Sequence, residues 1–233
     1  LGLVTIGKVE GAQDFWDSDT PEERRPYRNL DLVLCQGRFD ADALGDATTA
    51  IVGSSRLERL WWAPPVHAAE PLAVINLNFV YGVRIADRRL WLDTAIEGCD
   101  LAGIPYVVST HPAEKSKIDS NRVTSISASR LLPHASVLIS RFSTVPFEAM
   151  ARGVPFIYHN PHGETVKTLA DPMGGFDITT SGDELARVLK EPGSGPGDHR
   201  PRVERFFSAH VDIDRGKRSE ERSADIVGQW ARS

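Results

Sequence analysis

Cysteine is nearly missing from this chain, with 2 among 233 residues, Cys35 and Cys99. They lie far apart and show no Cys or His spacing typical of zinc. That excludes a disulfide framework and a zinc finger, and the pair reads as reduced, buried thiols. An excess of basic residues is missing too. The formal net charge is −5, whereas a duplex nucleic-acid binder presents a basic face, so no nucleic-acid partner is expected. No apolar run approaches the about 20 residues that span a bilayer, and no charged-then-apolar leader opens the sequence. The glycine-rich loops that cradle phosphates in the commonest nucleotide sites are likewise absent.

What is present is a globular composition, 41% hydrophobic and 25% charged. The chain opens on an apolar run, Leu1-Gly2-Leu3-Val4-Thr5-Ile6-Gly7, without a Met, which implies that the natural N-terminus lies elsewhere. Apolar runs of strand length alternate with helical patterns throughout, the signature of parallel α/β architecture. Strands are expected near 3–7, 32–35, 49–52, 72–77, 105–109, 123–126, 137–140, 155–158 and 176–178. Helices are expected over 38–44, 56–62, 87–102, 128–132, 145–152, 165–170, 182–190, 202–209 and 219–231. Several strands are continuous Val/Ile/Leu runs, as in sheets covered on both faces. Gly103 follows the longest helical pattern in the usual terminating position.

The Pro-rich stretch 64–71 reads as a linker between an N-terminal α/β remnant (1–63) and a self-contained α/β unit (72–200), with closing helices over 201–233. The charge clusters at 22–25 and 215–222 read as solvated faces, and Trp61-Trp62 as packing.

Four expected strand ends carry polar chemistry. In Ser140-Arg141-Phe142-Ser143-Thr144-Val145-Pro146-Phe147-Glu148, a strand turns into a helix whose start carries two hydroxyls. Unpaired N–H groups and the positive helix end suit a phosphate there, and Pro146 costs no needed N–H. Glu148 is four residues after Thr144, so a capping box does not account for it; it can reach a sugar hydroxyl. The plainer alternative is that Ser143 or Thr144 simply caps the helix. Thr110-His111-Pro112 ends another strand, and Pro112 keeps His111 out of helical geometry. His111 can donate to a phosphate oxygen or act as an acid, or can simply bond the loop backbone. Tyr158-His159-Asn160-Pro161-His162-Gly163-Glu164 sets His162 and Glu164 beside a glycine, where a base or ribose can approach; its spacing is no metal motif. Asn78 and Tyr81 follow the first strand after the linker, where turn formation is the competing reading. In a parallel sheet all four ends fall on one edge, where ligands bind. Together they point to a nucleotide-type site.

The order His-Pro, Ser-Thr before a short Glu-containing helix, Gly-Val-Pro, then Asn-Pro-His-Gly-Glu resembles the C-terminal half of GT-B-fold glycosyltransferases. The group it is most similar to is the CDP-glycerol glycerophosphotransferase-like and capsular polysaccharide enzymes of bacteria. Asp31–Gly37 and Ile51–Leu57 resemble the last strands of the family's N-terminal domain. The resemblance implies a Rossmann-like C-terminal donor domain preceded by the end of an N-terminal Rossmann-like domain. It implies a cytoplasmic enzyme, with the inner face of the membrane and peripheral attachment to it left open. The donor would be nucleotide-activated, CDP- or UDP-linked, and the acceptor a cell-envelope glycan or polyol phosphate. His111, Ser143 and Thr144 would hold the donor's phosphates, and Glu148 and Glu164 would contact ribose or sugar. The full donor-binding set comprises Asn78, Tyr81, His111, Arg141, Ser143, Thr144, Glu148, His162 and Glu164. His111 and Glu10 are the candidate catalytic residues, and no metal or other cofactor is implied. Ser140-Arg141-Phe142 departs from the family in lacking the acid often found before the Ser pair. Two other readings stay open: a UDP-sugar 2-epimerase-like enzyme and a non-catalytic nucleotide-binding module.

Overall fold

The structure, a computed structural model, describes residues 3–12, 27, 29–79, 84–111, 121–191 and 198–232. The chain divides into two compact units, the first comprising 1–63, 165–171 and 204–233, the second 64–164 and 172–203.

The first unit holds a three-stranded sheet of β1 (Ile6–Lys8), β2 (Leu32–Cys35) and β3 (Thr49–Ile51). Its strands run parallel in the order β1-β2-β3. Parallel neighbours need a crossover; α1 (Arg38–Ala43) supplies it between β2 and β3, and α2 (Ser55–Trp62) follows β3. β2 is buried along its whole length, as its uninterrupted Leu-Val-Leu-Cys run requires.

The second unit is built on six parallel strands: β4 (Ala73–Leu77), β5 (Tyr106–Thr110), β6 (Val123–Thr124), β7 (Val137–Ser140), β8 (Phe156–His159) and β9 (Asp177–Thr179). Their order is β6-β5-β4-β7-β8-β9, the doubly wound arrangement in which the chain leaves β4 in one direction and later returns to its other side. Helices α3 (Arg88–Ala102), α4 (Ala128–Leu131) and α5 (Val145–Ala151) lie between strands, and α6 (Gly182–Lys190) follows β9. Ile75, Leu77, Trp91, Ile139, Ile157 and Leu185 share one buried core. Gly98 lets α3 approach α6, since a Cβ there would fall 2.6 Å from the Leu185 side chain. Gly103 ends α3 in the left-handed region (φ 69°), and the Ile104 N–H returns to the Cys99 carbonyl, the closure that favours glycine at this position. Helices α7 (Arg200–His210) and α8 (Ser219–Trp230) complete the chain.

Where the structure departs from the sequence pattern, the segments are short or marginal. β1 sits at Ile6–Lys8 rather than over 3–7, and β6 has two residues at the sheet edge. The stretch 165–170 forms only a 3-10 turn, Lys167–Leu169. Cys35 and Cys99 are free and buried. Burial, with a nearby carboxylate as a lesser cause, raises each thiol to about 12, so neither is a nucleophile at neutral pH. Among the described residues, no helix is long and apolar enough to cross a membrane.

Candidate functional site

In a doubly wound sheet the crevice lies beyond the carboxyl ends of the two strands where the order reverses, here β4 and β7. Asn76 of β4 is buried and stands in register with Ser140 of β7. Its Nδ2 donates to Ser140 Oγ (2.9 Å) and to Ser143 Oγ (3.2 Å). Ser140 Oγ in turn donates to the Arg141 carbonyl at 2.7 Å. Ser143 Oγ accepts a second bond from the Val145 N–H at 3.3 Å. Ser143 is therefore held in place as an acceptor, and its own hydroxyl proton is committed to none of the described residues. A half-buried O–H of this kind donates readily to an anionic oxygen.

The helix following the turn is short, Val145–Ala151, with Pro146 in its first turn. Thr144 occupies the capping position but makes no side-chain cap. Ser143 instead bonds the backbone two residues on, a local turn rather than a helix cap. Glu148, one turn along α5, is buried. His111, half-buried, directly follows β5, which pairs with β4, so it shares the carboxyl edge with the Ser143 turn. Pro112 lies outside the described residues, as does Tyr81. Glu10 is exposed and belongs to the first unit.

The remaining candidates form a closed polar cluster. Arg141, which follows β7, donates from Nε to Glu164 Oε2 at 3.1 Å and from Nη2 to the same oxygen. Its Nη1 bonds the Asn78 carbonyl at 3.0 Å, and its guanidinium lies 4.5 Å from the centre of the Phe79 ring. Asn78 Nδ2 contacts the Phe142 carbonyl at 3.3 Å. The other Glu164 oxygen accepts from the Tyr158 hydroxyl at 3.0 Å. Asn160 and Glu164 close the loop through two further bonds of 2.8 Å each. Burial pushes the Glu164 carboxyl up, but neighbouring His162 and Arg141 outweigh it and hold it at about 2. His162 Nε2 lies 3.2 Å from Glu164 Oε2, yet neither ring nitrogen is aligned for a hydrogen bond; the contact is electrostatic proximity, not a formed bond. His159 is fully buried between Thr179 and Thr94, each 2.9 Å from a ring nitrogen. Burial, then the nearby His162, lowers its pKa to about 4, so it is neutral at physiological pH.

The structure thus brings Asn78, Arg141, Ser143, Thr144, His162 and Glu164 to loops at one sheet edge, with Glu148 on the helix that starts there. It also divides them: Glu164 and Arg141 are spent on each other, while Ser143 keeps a donor. Asn76 is the anchor that motif reading passes over. Its signal is a buried polar residue inside an apolar strand, Ala-Val-Ile-Asn-Leu. Among the described residues, no group of three or more His, Cys, Asp or Glu side chains is arranged to hold a metal ion.

No protein-family model matches the sequence, and no curated protein matches it. Solved structures do share its fold. The wall teichoic acid polymerase TagF matches over 97% of this chain and 69% of its own, at 17% identity and a TM-score of 0.56. The Methanocaldococcus jannaschii UDP-GlcNAc 2-epimerase, solved with UDP-GlcNAc and UDP, matches over 94% of this chain and 67% of its own, at 12% identity and a TM-score of 0.62. Spinosyn forosaminyltransferase SpnP matches over 87% of this chain and 56% of its own, at 17% identity and a TM-score of 0.50. The chain spans 60% of the length of a TagF variant that it also matches. At these identities the likeness is one of fold: the chain has the parallel α/β, Rossmann-type fold of GT-B proteins.

Proposed function

We propose that the protein is a GT-B-type glycosyltransferase or glycerophosphotransferase-like enzyme whose second unit binds a nucleotide-activated donor, CDP- or UDP-linked. The observation that carries this reading is Ser143, fixed by Asn76 and Val145 at the switch point with its own hydroxyl proton uncommitted. A donor diphosphate seated there would accept from Ser143, with His111 donating from the adjoining strand end and Glu148 serving the ribose or sugar hydroxyls. In glycosyl transfer the acceptor oxygen bonds the anomeric carbon as the carbon–diphosphate bond breaks. The acceptor proton passes to a base, and negative charge accumulates on the departing nucleoside diphosphate. Glycerophosphoryl transfer would instead form a phosphorus–oxygen bond and release the nucleoside monophosphate. Fixed hydroxyl and imidazole donors stabilise either leaving group without a metal. The acceptor would be a cell-envelope glycan or polyol phosphate, met at the cytoplasmic side of the membrane.

Calorimetric titration with CDP, CMP, UDP and GDP tests the reading. At least one should bind with a Kd between micromolar and millimolar; a folded sample that binds none of them sinks it. A second reading, a UDP-sugar 2-epimerase-like enzyme, is supported by the fold likeness to the archaeal epimerase. Incubating the protein with UDP-GlcNAc and following the sugar C2 proton by NMR separates the two, because only epimerisation inverts that centre without an acceptor.

A further inference from the structure

The first unit contains a cleft of about 780 Å³ between the end of α2 and the start of α8, within the range of roughly 300–1,000 Å³ typical of small-molecule sites. Its walls combine three chemistries. The first is an aromatic face. Trp61 stacks on Phe207 with ring centres 4.6 Å apart and serves packing, whereas Trp62 is 48% exposed and lines the cleft. The second is charge of both signs, with Asp214 and Glu220 beside three arginines; Asp214 accepts from the Gly216 N–H. Arg59 is paired with Glu220 at 3.0 Å, but Arg215 and Arg218 have no carboxylate partner among the described residues. Arg215 instead lies 5.3 Å from the centre of the Trp62 ring. Arg218 immediately precedes the twelve-residue helix α8, whose own first-turn N–H groups are already met by Glu58 and Glu221, so the guanidiniums and not the helix end supply the attraction for an anion. The third is an unmet acceptor. Glu58 is 4% exposed and lines the cleft; its Oε2 accepts from the Ser219 N–H at 2.9 Å, while its Oε1 has no partner among the described residues. Buried carboxylate oxygens are rarely left so, and each such case calls for a donor.

We propose that this cleft binds a phosphorylated sugar or polyol. Two guanidiniums without a carboxylate partner among the described residues, one of them lying over Trp62, match a phosphate group. Glu58 Oε1 accepts from a ligand hydroxyl, and the Trp62 face covers the apolar side of a sugar ring. The walls carry no Asn or Gln amide of the kind that reads a base edge, which favours a sugar or polyol phosphate over a nucleotide. The site lies wholly within the first unit and does not rest on the nucleotide reading of the second.

The test is titration of the intact chain with glucose 6-phosphate, glycerol 3-phosphate, inorganic phosphate, glucose and CMP, read by tryptophan fluorescence and by the Trp62 indole resonance. The phosphorylated compounds should shift that resonance and bind at least about tenfold more tightly than phosphate or glucose alone, with the hexose phosphate ahead of the polyol phosphate because only it offers a ring to Trp62. Trp62→Ala, Arg215→Ala and Arg218→Ala, all at exposed positions, should each weaken binding several-fold. Glu58→Gln, which keeps an acceptor for Ser219, should do the same while leaving the melting temperature near that of the parent. Binding of inorganic phosphate as tight as that of the sugar phosphate overturns the proposal, as does tighter binding of CMP at Trp62, or no binding of either phosphorylated compound. Because nucleotide affinity at the second unit is measured separately, failure of one reading leaves the other standing.

Discussion

Two strand-end loops of the second unit carry nearly the same kinds of residue and do opposite things with them. In the loop after β8, His159, Asn160 and Glu164 are consumed by Thr179, Thr94, Arg141, Tyr158 and one another, and only His162, packed against Glu164, has no hydrogen bond among the described residues. The turn after β7 holds Ser143 from two sides and leaves its hydroxyl proton uncommitted among the described residues. A satisfied, buried network fixes backbone; a half-buried group that is held but unsatisfied is available to a ligand. Polar residues at a carboxyl edge are thus not equivalent, and the difference lies in which of them already have partners.

The comparison breaks most visibly at Arg141. Arg141→Ala strands the Glu164 carboxylate in a buried site and should cost about 3–5 kcal/mol in urea unfolding. Replacing both partners by apolar residues, Arg141→Met with Glu164→Leu, should recover most of that loss. If the single variant unfolds no more easily than the parent, the loop is not scaffold.

Acid should act next. His159 titrates near 6.5 in the unfolded chain but at about 4 in the fold. Between those values the unfolded state binds more protons, so stability falls as pH drops from about 6.5 to 4, by up to roughly 3 kcal/mol. Glu164, held at about 2, adds a further loss as pH falls below its unfolded value of 4.5. Asp40 in the first unit works the other way. Burial raises it to about 6 despite a bond from the Gln36 N–H, so its contribution improves as pH falls through 6 toward 3.8. Urea midpoints at pH 7, 5 and 4 for the parent and for His159→Gln resolve these opposing trends; the variant should lose the decline between 6.5 and 4.

The smallest effect on stability is expected at Ser143. Asn76 keeps Ser140 as a partner, so Ser143→Ala should cost no more than about 1 kcal/mol of stability. Nucleotide affinity should fall about tenfold or more, since a donor to a charged oxygen contributes about 1.5–3 kcal/mol. If Glu164→Gln weakens nucleotide binding more than Ser143→Ala does, the roles drawn for the two loops are reversed.

Much of the fold was legible in local pattern. Continuous Val/Ile/Leu runs marked β2, β4 and β7, and helical spacing marked α3, because backbone periodicity and burial act over a few residues. The Ser143 turn was visible for the same reason. Less local features were not. Nothing near Asn76 in sequence announces that parallel register sets it opposite Ser140, 64 residues on. Nor does the chain around Arg141 reveal that the missing acid of the Ser140–Phe142 stretch gives way to an arginine neutralised by Glu164, 23 residues later. Trp61 and Trp62 look alike as a pair, yet only the packing of Phe207 decides that the first is half-buried against a ring and the second lines a cleft.

The sequence by itself determined a parallel α/β chain with polar residues at the carboxyl ends of its strands, since periodicity and turn chemistry are properties of neighbouring residues. Which of those polar groups are already satisfied was decided only by tertiary structure. Hydrogen-bond and charge partners come from strands far apart in the chain, and a donor is available to a ligand only after the fold has left it unused.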